Sequence, residues 1–232
     1  MQVDILTLFP GMVAAAFGES ILARAARRGH LAIRTHQIRD FTMQKQKQVD
    51  DYPYGGGMGL VMQADPLFRC LSYVKETHGD GHVLLMSPAG TVFNQREAIR
   101  LQRDYGHLIL VCGHYEGVDE RFVEECVDEE ISLGDFVLTG GEIAACAVCD
   151  AVCRLIPGVL ADETSFEDES HYAGLLEYPQ YSRPEVWHER RVPEVLLSGH
   201  HENIKAWRRE QSHARTKQRR PDLWEKYLRG EK

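Results

Sequence analysis

Leu108-Ile-Leu-Val-Cys-Gly-His-Tyr-Glu-Gly-Val-Asp-Glu-Arg121 and, shortly after it, Ile131-Ser-Leu-Gly-Asp-Phe-Val-Leu-Thr-Gly-Gly-Glu142 decide the fold. Each is a short β-branched or leucine-rich run that stops at glycine. Strands buried on both faces of a parallel sheet read this way, and ligands of open α/β sheets sit at the carboxyl ends of such strands. Glycine at 113, 117, 134, 140 and 141 lets backbone approach a ligand closely. No G-x-G-x-x-G links a strand to a helix, which counts against a nucleotide-dependent oxidoreductase. The pattern instead predicts glycine loops from several strands converging on one ligand.

Outward from this core, Val3–Leu8 and Leu31–His36 read as strands, with an amphipathic helix over Gly11–Arg28 closed by Gly29. Gln44–Met62 is polar, glycine-rich and without periodicity, a long loop of the kind kept for function. Asp65-Pro66 predicts a capped helix reaching about His78, and Val83–Met86 a buried strand ending in Ser87-Pro-Ala-Gly90. Asn94 caps the next helix, which Gly106 ends. This alternation predicts an α/β domain over residues 1–160, a mostly parallel sheet with helices on both faces. An acidic, flexible linker is expected over 161–178. A helical domain follows over 179–232, with helical patterns at Pro184–Arg191, Pro193–Ser198, Glu202–Arg215 and Pro221–Leu228.

Composition adds limits. The 232 residues are 43% hydrophobic and 27% charged, as in an ordinary globular protein. No apolar run approaches the length that spans a bilayer, and the first residues lack the basic start of a signal peptide, so a cytoplasmic protein without a membrane partner is expected. The net charge of −8 hides a division: residues 183–232 carry 13 Lys/Arg against 8 Asp/Glu, residues 1–182 carry 14 against 27. A basic tail on an acidic body suits a nucleic-acid partner better than the total does. Cys146, Cys149 and Cys153 fall on one face of a predicted helix, where free cysteine acts as a small hydrophobe, and no metal-ligand spacing accompanies them.

Both opening segments, together with Leu8-Phe-Pro10, Arg39-Asp-Phe41, Val49-Asp-Asp-Tyr-Pro-Tyr-Gly-Gly-Gly57, Arg154-Leu-Ile-Pro-Gly158, Gly174-Leu-Leu-Glu-Tyr-Pro179 and Arg219-Arg-Pro221, resemble the bacterial tRNA (guanine-N1)-methyltransferases that act at position 37. These belong to the knotted SPOUT class. The resemblance implies a C-terminal trefoil knot in the α/β domain and a homodimer whose active sites are shared. S-adenosylmethionine is the implied donor. It would be bound by Met86, Ser87, Pro88, Gly113, Tyr115, Glu116, Ser132, Leu133, Gly134, Asp135, Phe136, Val137, Leu138, Gly140 and Gly141.

The same resemblance implies a carboxylate base in the linker and an arginine that stabilises O6 of the guanine. The arginine corresponds to Arg154. The family's Glu-Asp-Ser-Phe stands here as Asp168-Glu-Ser-His171, which puts Glu169 at the base position and leaves Asp168 as the alternative by a one-residue slip. Asp50, by the same likeness, would recognise the guanine before the target, so tRNAs with G36-G37 are the expected substrates. Read from the residues alone, Asp50 is equally an Asx-turn residue before Pro53. Arg208, Arg215, Arg219 and Arg220 would hold phosphates of the anticodon stem-loop. Magnesium is implied by the family, although no cluster of oxygen ligands announces a site. The rival from another class is a non-catalytic RNA-binding protein that keeps the fold.

Overall fold

Strands as apolar as Leu108–Val111 cannot show one face to water, so the sheet they form must be covered on both sides. The computed structural model describes residues 1–160 and 169–231. Strands are β1 (Gln2–Thr7), β2 (Ala32–Gln37), β3 (Asp50–Asp51), β4 (Val61–Met62), β5 (His82–Val92), β6 (His107–Cys112), β7 (Glu129–Ser132), β8 (Val186–Trp187) and β9 (Arg190–Arg191). Helices are α1 (Pro10–Phe17), α2 (Ser20–Arg27), α3 (Ala64–His78), α4 (Gln95–Asp104), α5 (Glu120–Cys126), α6 (Glu142–Cys153), α7 (Glu194–Leu197), α8 (His201–Arg219) and α9 (Pro221–Leu228). The chain divides into two compact units, residues 1–161 and 162–232.

In the first unit the sheet order is β2-β1-β6-β5-β7, and the pairs are parallel. Side chains alternate between its faces. Leu6, Val83, Leu85, Ile109 and Val111 pack with Leu67, Leu71 and Val74 of α3 and Phe122 of α5. Val3, Ile5, Leu84, Leu108 and Leu110 are equally buried and fall on the other face, where α6 lies against β1 and β6 with α1 and α4 beside it. Each such leucine contributes about 2 kcal/mol by leaving water. The expected α/β sheet flanked by helices is therefore present.

Several expected elements differ in detail. The helix expected over Gly11–Arg28 is two, because the chain turns at Gly18 and Glu19, where Glu19 is extended and Ser20 takes φ 60°. A side chain at 18 would meet Ala14 O at 3.1 Å. Helix α3 begins two residues early, with Gln63 at its cap, and Asp65 instead pairs with Arg69 at 2.8 Å. The loop at 44–62 contains the β3–β4 hairpin. Strand β5 runs on to Val92 through an irregularity between Met86 and Thr91. There Pro88 offers no N–H to the ladder, and a Cβ on Gly90 would collide with the Glu130 backbone.

The second unit contains α7, α8, α9 and a hairpin that replaces the helix expected over Pro184–Arg191. Val186 pairs with Arg191 across a two-residue turn in which His188 and Glu189 both have positive φ, the geometry that suits hairpin twist. Residues 170–178 pack along α8: Leu176 N donates to Thr216 Oγ1 at 2.9 Å, and Ser212 Oγ donates to Leu176 O at 2.7 Å.

Candidate active site

Parallel strands end at the same side of a sheet, and here the irregular middle of β5 and the ends of β6 and β7 border a cavity of about 490 Å³. That volume suits a nucleoside-sized ligand. Met86, Ser87, Pro88, Gly113, Tyr115, Glu116, Ser132, Leu133, Phe136, Val137, Leu138, Gly140 and Gly141 line it; Gly134 and Asp135 do not. Gly134 N donates to Ser132 Oγ at 3.1 Å, and Ser132 Oγ stands 3.1 Å from Gly134 O, which ties this glycine to the wall residue Ser132. Sequence reasoning missed several wall residues, among them His114, Val118, Ile131 and Thr139.

The loops are locked to one another by backbone. Gly141 N donates to Gly113 O at 2.9 Å, and a Cβ on Gly141 would lie 2.7 Å from Cys112 Cα and 3.0 Å from Gly113 N. Only glycine permits this approach. The 114–117 turn closes through Gly117 N to His114 O at 3.1 Å, with Tyr115 at φ 60°. Glu116 N donates to Leu60 O at 2.9 Å, and Arg39 donates to the Tyr115 hydroxyl at 3.3 Å, so the 44–62 loop borders the same wall.

Behind that wall lies a buried carboxylate. Glu142, the first residue of α6, is 2% exposed. Thr7 Oγ1, at the end of β1, donates to its Oε1 at 2.6 Å, and His114 Nε2 stands 2.6 Å from its Oε2. Phe9 N donates to Thr7 Oγ1 at 2.8 Å, which occupies the hydroxyl on both sides. The helix N-terminus favours a negative charge at this position.

A second buried carboxylate, Asp4, lies away from the cavity. Arg34 donates to both its oxygens at 2.8 and 2.7 Å, His36 Nε2 is 2.6 Å from Oδ1, and His107 Nε2 is 2.7 Å from Oδ2. Burial alone would push the Asp4 carboxyl up, yet these hydrogen bonds together hold it well below the usual carboxylate range. Asp4, His36 and His78 are grouped closely enough to hold a metal ion. Asp4 already accepts two partners on each oxygen, one of them a guanidinium, so the group is an ionic hub and not a vacant ligand set.

The remaining expected site residues fall as follows. Arg154 is the C-cap of α6 and Glu169 opens the described part of the second unit. Asp168 lies outside the described residues. Asp50 is 9% exposed in β3, and Asp51 Oδ1 accepts from Tyr52 N at 2.8 Å. In the second unit Arg215 and Arg219 border a cavity with Ser170, Glu177 and Tyr178, while Arg208 lies 4.7 Å over the Tyr178 ring. Arg220 pairs with Asp222 at 2.6 Å. Cys149 and Cys153 are buried with sulfurs 3.7 Å apart, and Cys146 is half-buried; the Cys149 thiol is raised by its Cys153 contact and by burial. Such thiols are poor nucleophiles. No helix among the described residues is long and apolar enough to cross a membrane.

A family model described as tRNA (Guanine-1)-methyltransferase TrmD matches residues 1–226. Among curated proteins, a tRNA (guanine-N(1)-)-methyltransferase of Ruminiclostridium cellulolyticum is 52% identical over 97% of this chain and 97% of its own length. One of Clostridium perfringens is 55% identical over 97% of this chain and 94% of its own. One of Clostridium acetobutylicum is 52% identical over 98% and 93%.

Proposed function

Because the chain belongs to the tRNA (guanine-N1)-methyltransferase family, and is an enzyme of that kind, we propose that it methylates N1 of guanine 37 in tRNAs bearing G36-G37, with S-adenosylmethionine as donor. The observation that carries this reading is the cavity bordered by the irregular middle of β5 and the ends of β6 and β7. Its fit to the donor rests on two features. Glycine at 140 and 141 lets the last cavity loop seat against His114 and the end of β6, where a Cβ would collide, and Gly113 lines the cavity without a side chain. Leu133, Val137 and Leu138 supply apolar wall for an adenine.

When bound there, the sulfonium supplies a methyl group whose carbon–sulfur bond breaks as the bond to N1 forms, leaving a neutral thioether. The chain must do the rest. N1 of guanine carries a proton at neutral pH, so Glu169 removes it and frees the lone pair for attack; Asp168 remains the alternative base. Negative charge then grows on O6, where Arg154 donates. Asp50 reads the preceding guanine, and exposed Tyr52 and Tyr54 beside it offer stacking surfaces for unpaired bases. Arg208, Arg215, Arg219 and Arg220 hold anticodon-stem phosphates.

A second copy of the chain completes the site in this reading. Exposed Phe136, Val137 and Ile143 beside the cavity are apolar surface that a partner would cover. The trefoil knot at the C-terminal part of the α/β unit, the acidic linker, the tRNA-binding role of the helical unit and action in the cytoplasm belong to the same proposal. Magnesium is left out of it: a hard ion takes oxygen ligands, and the Asp4–His36–His78 group does not suit one.

The test is transfer of labelled methyl to two transcripts, one with G36-G37 and one with A36-G37. Only the first should be labelled. Arg154→Ala and Glu169→Ala should each lower kcat by about 100-fold or more. Full activity of Glu169→Ala with loss in Asp168→Ala moves the base by one residue. Donor binding with label on neither transcript supports the non-catalytic RNA-binding protein instead.

A further inference from the structure

We propose that Thr7 and Glu142 are positioning residues for donor binding, acting through His114 to fix two cavity loops against each other. The inference rests on reading the cavity as the donor site. Its own support is a chain of short contacts through four elements: Phe9 N to Thr7 Oγ1 at 2.8 Å, Thr7 Oγ1 to Glu142 Oε1 at 2.6 Å, and Glu142 Oε2 to His114 Nε2 at 2.6 Å. Thr7 and Glu142 are 0% and 2% exposed, and neither borders the cavity. His114 does, and it stands at the junction of the two loops.

The loops need this clamp. His114 bridges to Gly140 through backbone, and a Cβ on Gly140 would collide with the His114 ring and approach Glu142 Oε2 to 2.8 Å. The imidazole therefore fills the space over Gly140, and its plane decides where the 132–141 loop rests. An unanchored ring could turn about its side-chain bonds, and both loops would lose their common reference. Glu142 opposes that turn, because Thr7 holds its Oε1 while its Oε2 accepts from His114 Nε2, so turning the ring would break a bond to a carboxylate already fixed on its other side. The Phe9 ring, 5.0 Å from the imidazole, closes the other side. A buried carboxylate is costly unless its oxygens are satisfied, and here the two partners that satisfy it come from the end of β1 and from the cavity wall. The strand end, the helix start and the wall are thus one unit.

The experiment uses the full-length protein. Donor and tRNA affinities are measured separately, by calorimetry, for the wild type, Thr7→Val, Thr7→Ser, His114→Asn and the Thr7→Val/His114→Asn double variant. Thr7→Val and His114→Asn should each weaken donor binding by about tenfold, the scale of one hydrogen bond to a charged group. Affinity for tRNA should stay within twofold. Thr7→Ser, which keeps the hydroxyl, should bind donor as the wild type does. The double variant should be no weaker than the worse single one, since both break the same chain. Independent, multiplying losses overturn the inference, as does unchanged donor affinity in Thr7→Val. Should Thr7→Val fail to fold, imidazole nitrogen shifts of the wild type decide. They should show the Nε2–H tautomer for His114, and the Nδ1–H tautomer overturns the inference. A wild type that binds no donor would instead sink the reading of the cavity.

Discussion

The 1–161 unit and the 162–232 unit hold themselves together by different means. The first buries strands from both faces and carries two carboxylates, Asp4 and Glu142, inside that packing. In the second, Thr216 is the one buried residue among those described. Its side chain accepts from Leu176 N and donates to Ser212 O at 2.7 Å, and the aromatic group of His213, Trp224 and Tyr227 packs half-exposed beside α8. A dry core tolerates no change of volume, whereas a unit tied by a few polar bonds can adjust its surface to a ligand. The difference accords with the proposed division between a rigid donor site and an arginine-bearing surface for tRNA.

The two units can be read separately, because Trp187, Trp207 and Trp224 all lie in the second. Urea unfolding followed by fluorescence reports that unit, while circular dichroism reports both. Asp4→Asn should cause the largest change, about 4 kcal/mol, since it strands a guanidinium and imidazoles around a neutral amide. The wild-type contribution should be complete above the unfolded carboxyl pKa of about 3.9 and vanish as the pH falls through the depressed native value. A variant as stable as the wild type at neutral pH would remove the hub from the comparison.

Leu110→Ala, in the centre of β6, should cost about 3 kcal/mol and leave the fluorescence transition in place. If both signals move together, the two units unfold as one. Thr216→Val should do the opposite, shifting fluorescence by about 1 kcal/mol by stranding Leu176 N, with faster amide exchange at Leu176. The smallest effect expected is on binding alone: Arg219→Ala should reduce the salt slope of tRNA affinity by about one and leave donor affinity unchanged. An unchanged slope would mean that Arg219 meets no phosphate.

Much of the first unit was legible because its signals are local. Apolar runs ending in glycine located β6, β7 and the loops after them, and Asn94 marked the start of α4 by the two backbone N–H groups its side chain accepts. What stayed hidden depends on distant partners or on unmarked backbone. An isolated glycine at 18 reads equally as a tolerated helix residue or a break. The His188-Glu189 turn has no Asn-Gly signature, although both residues adopt positive φ. His114 and Glu142 both stood inside the quoted segments, yet a bond between residues 28 apart in sequence leaves no local trace. Asp4 was visible as an acid in a strand, but the three elements that gather on it, β2, α3 and β6, were not.

That gathering bears on the rim of the sheet. Among the described residues strand β2 is bonded to a neighbour on one side only, and such a margin is where a parallel sheet ordinarily frays. Arg34 and His36 reach from this margin to Asp4 in β1, so peeling β2 away means stripping a carboxylate of its counterions. The rim is riveted from within, so this margin resists fraying.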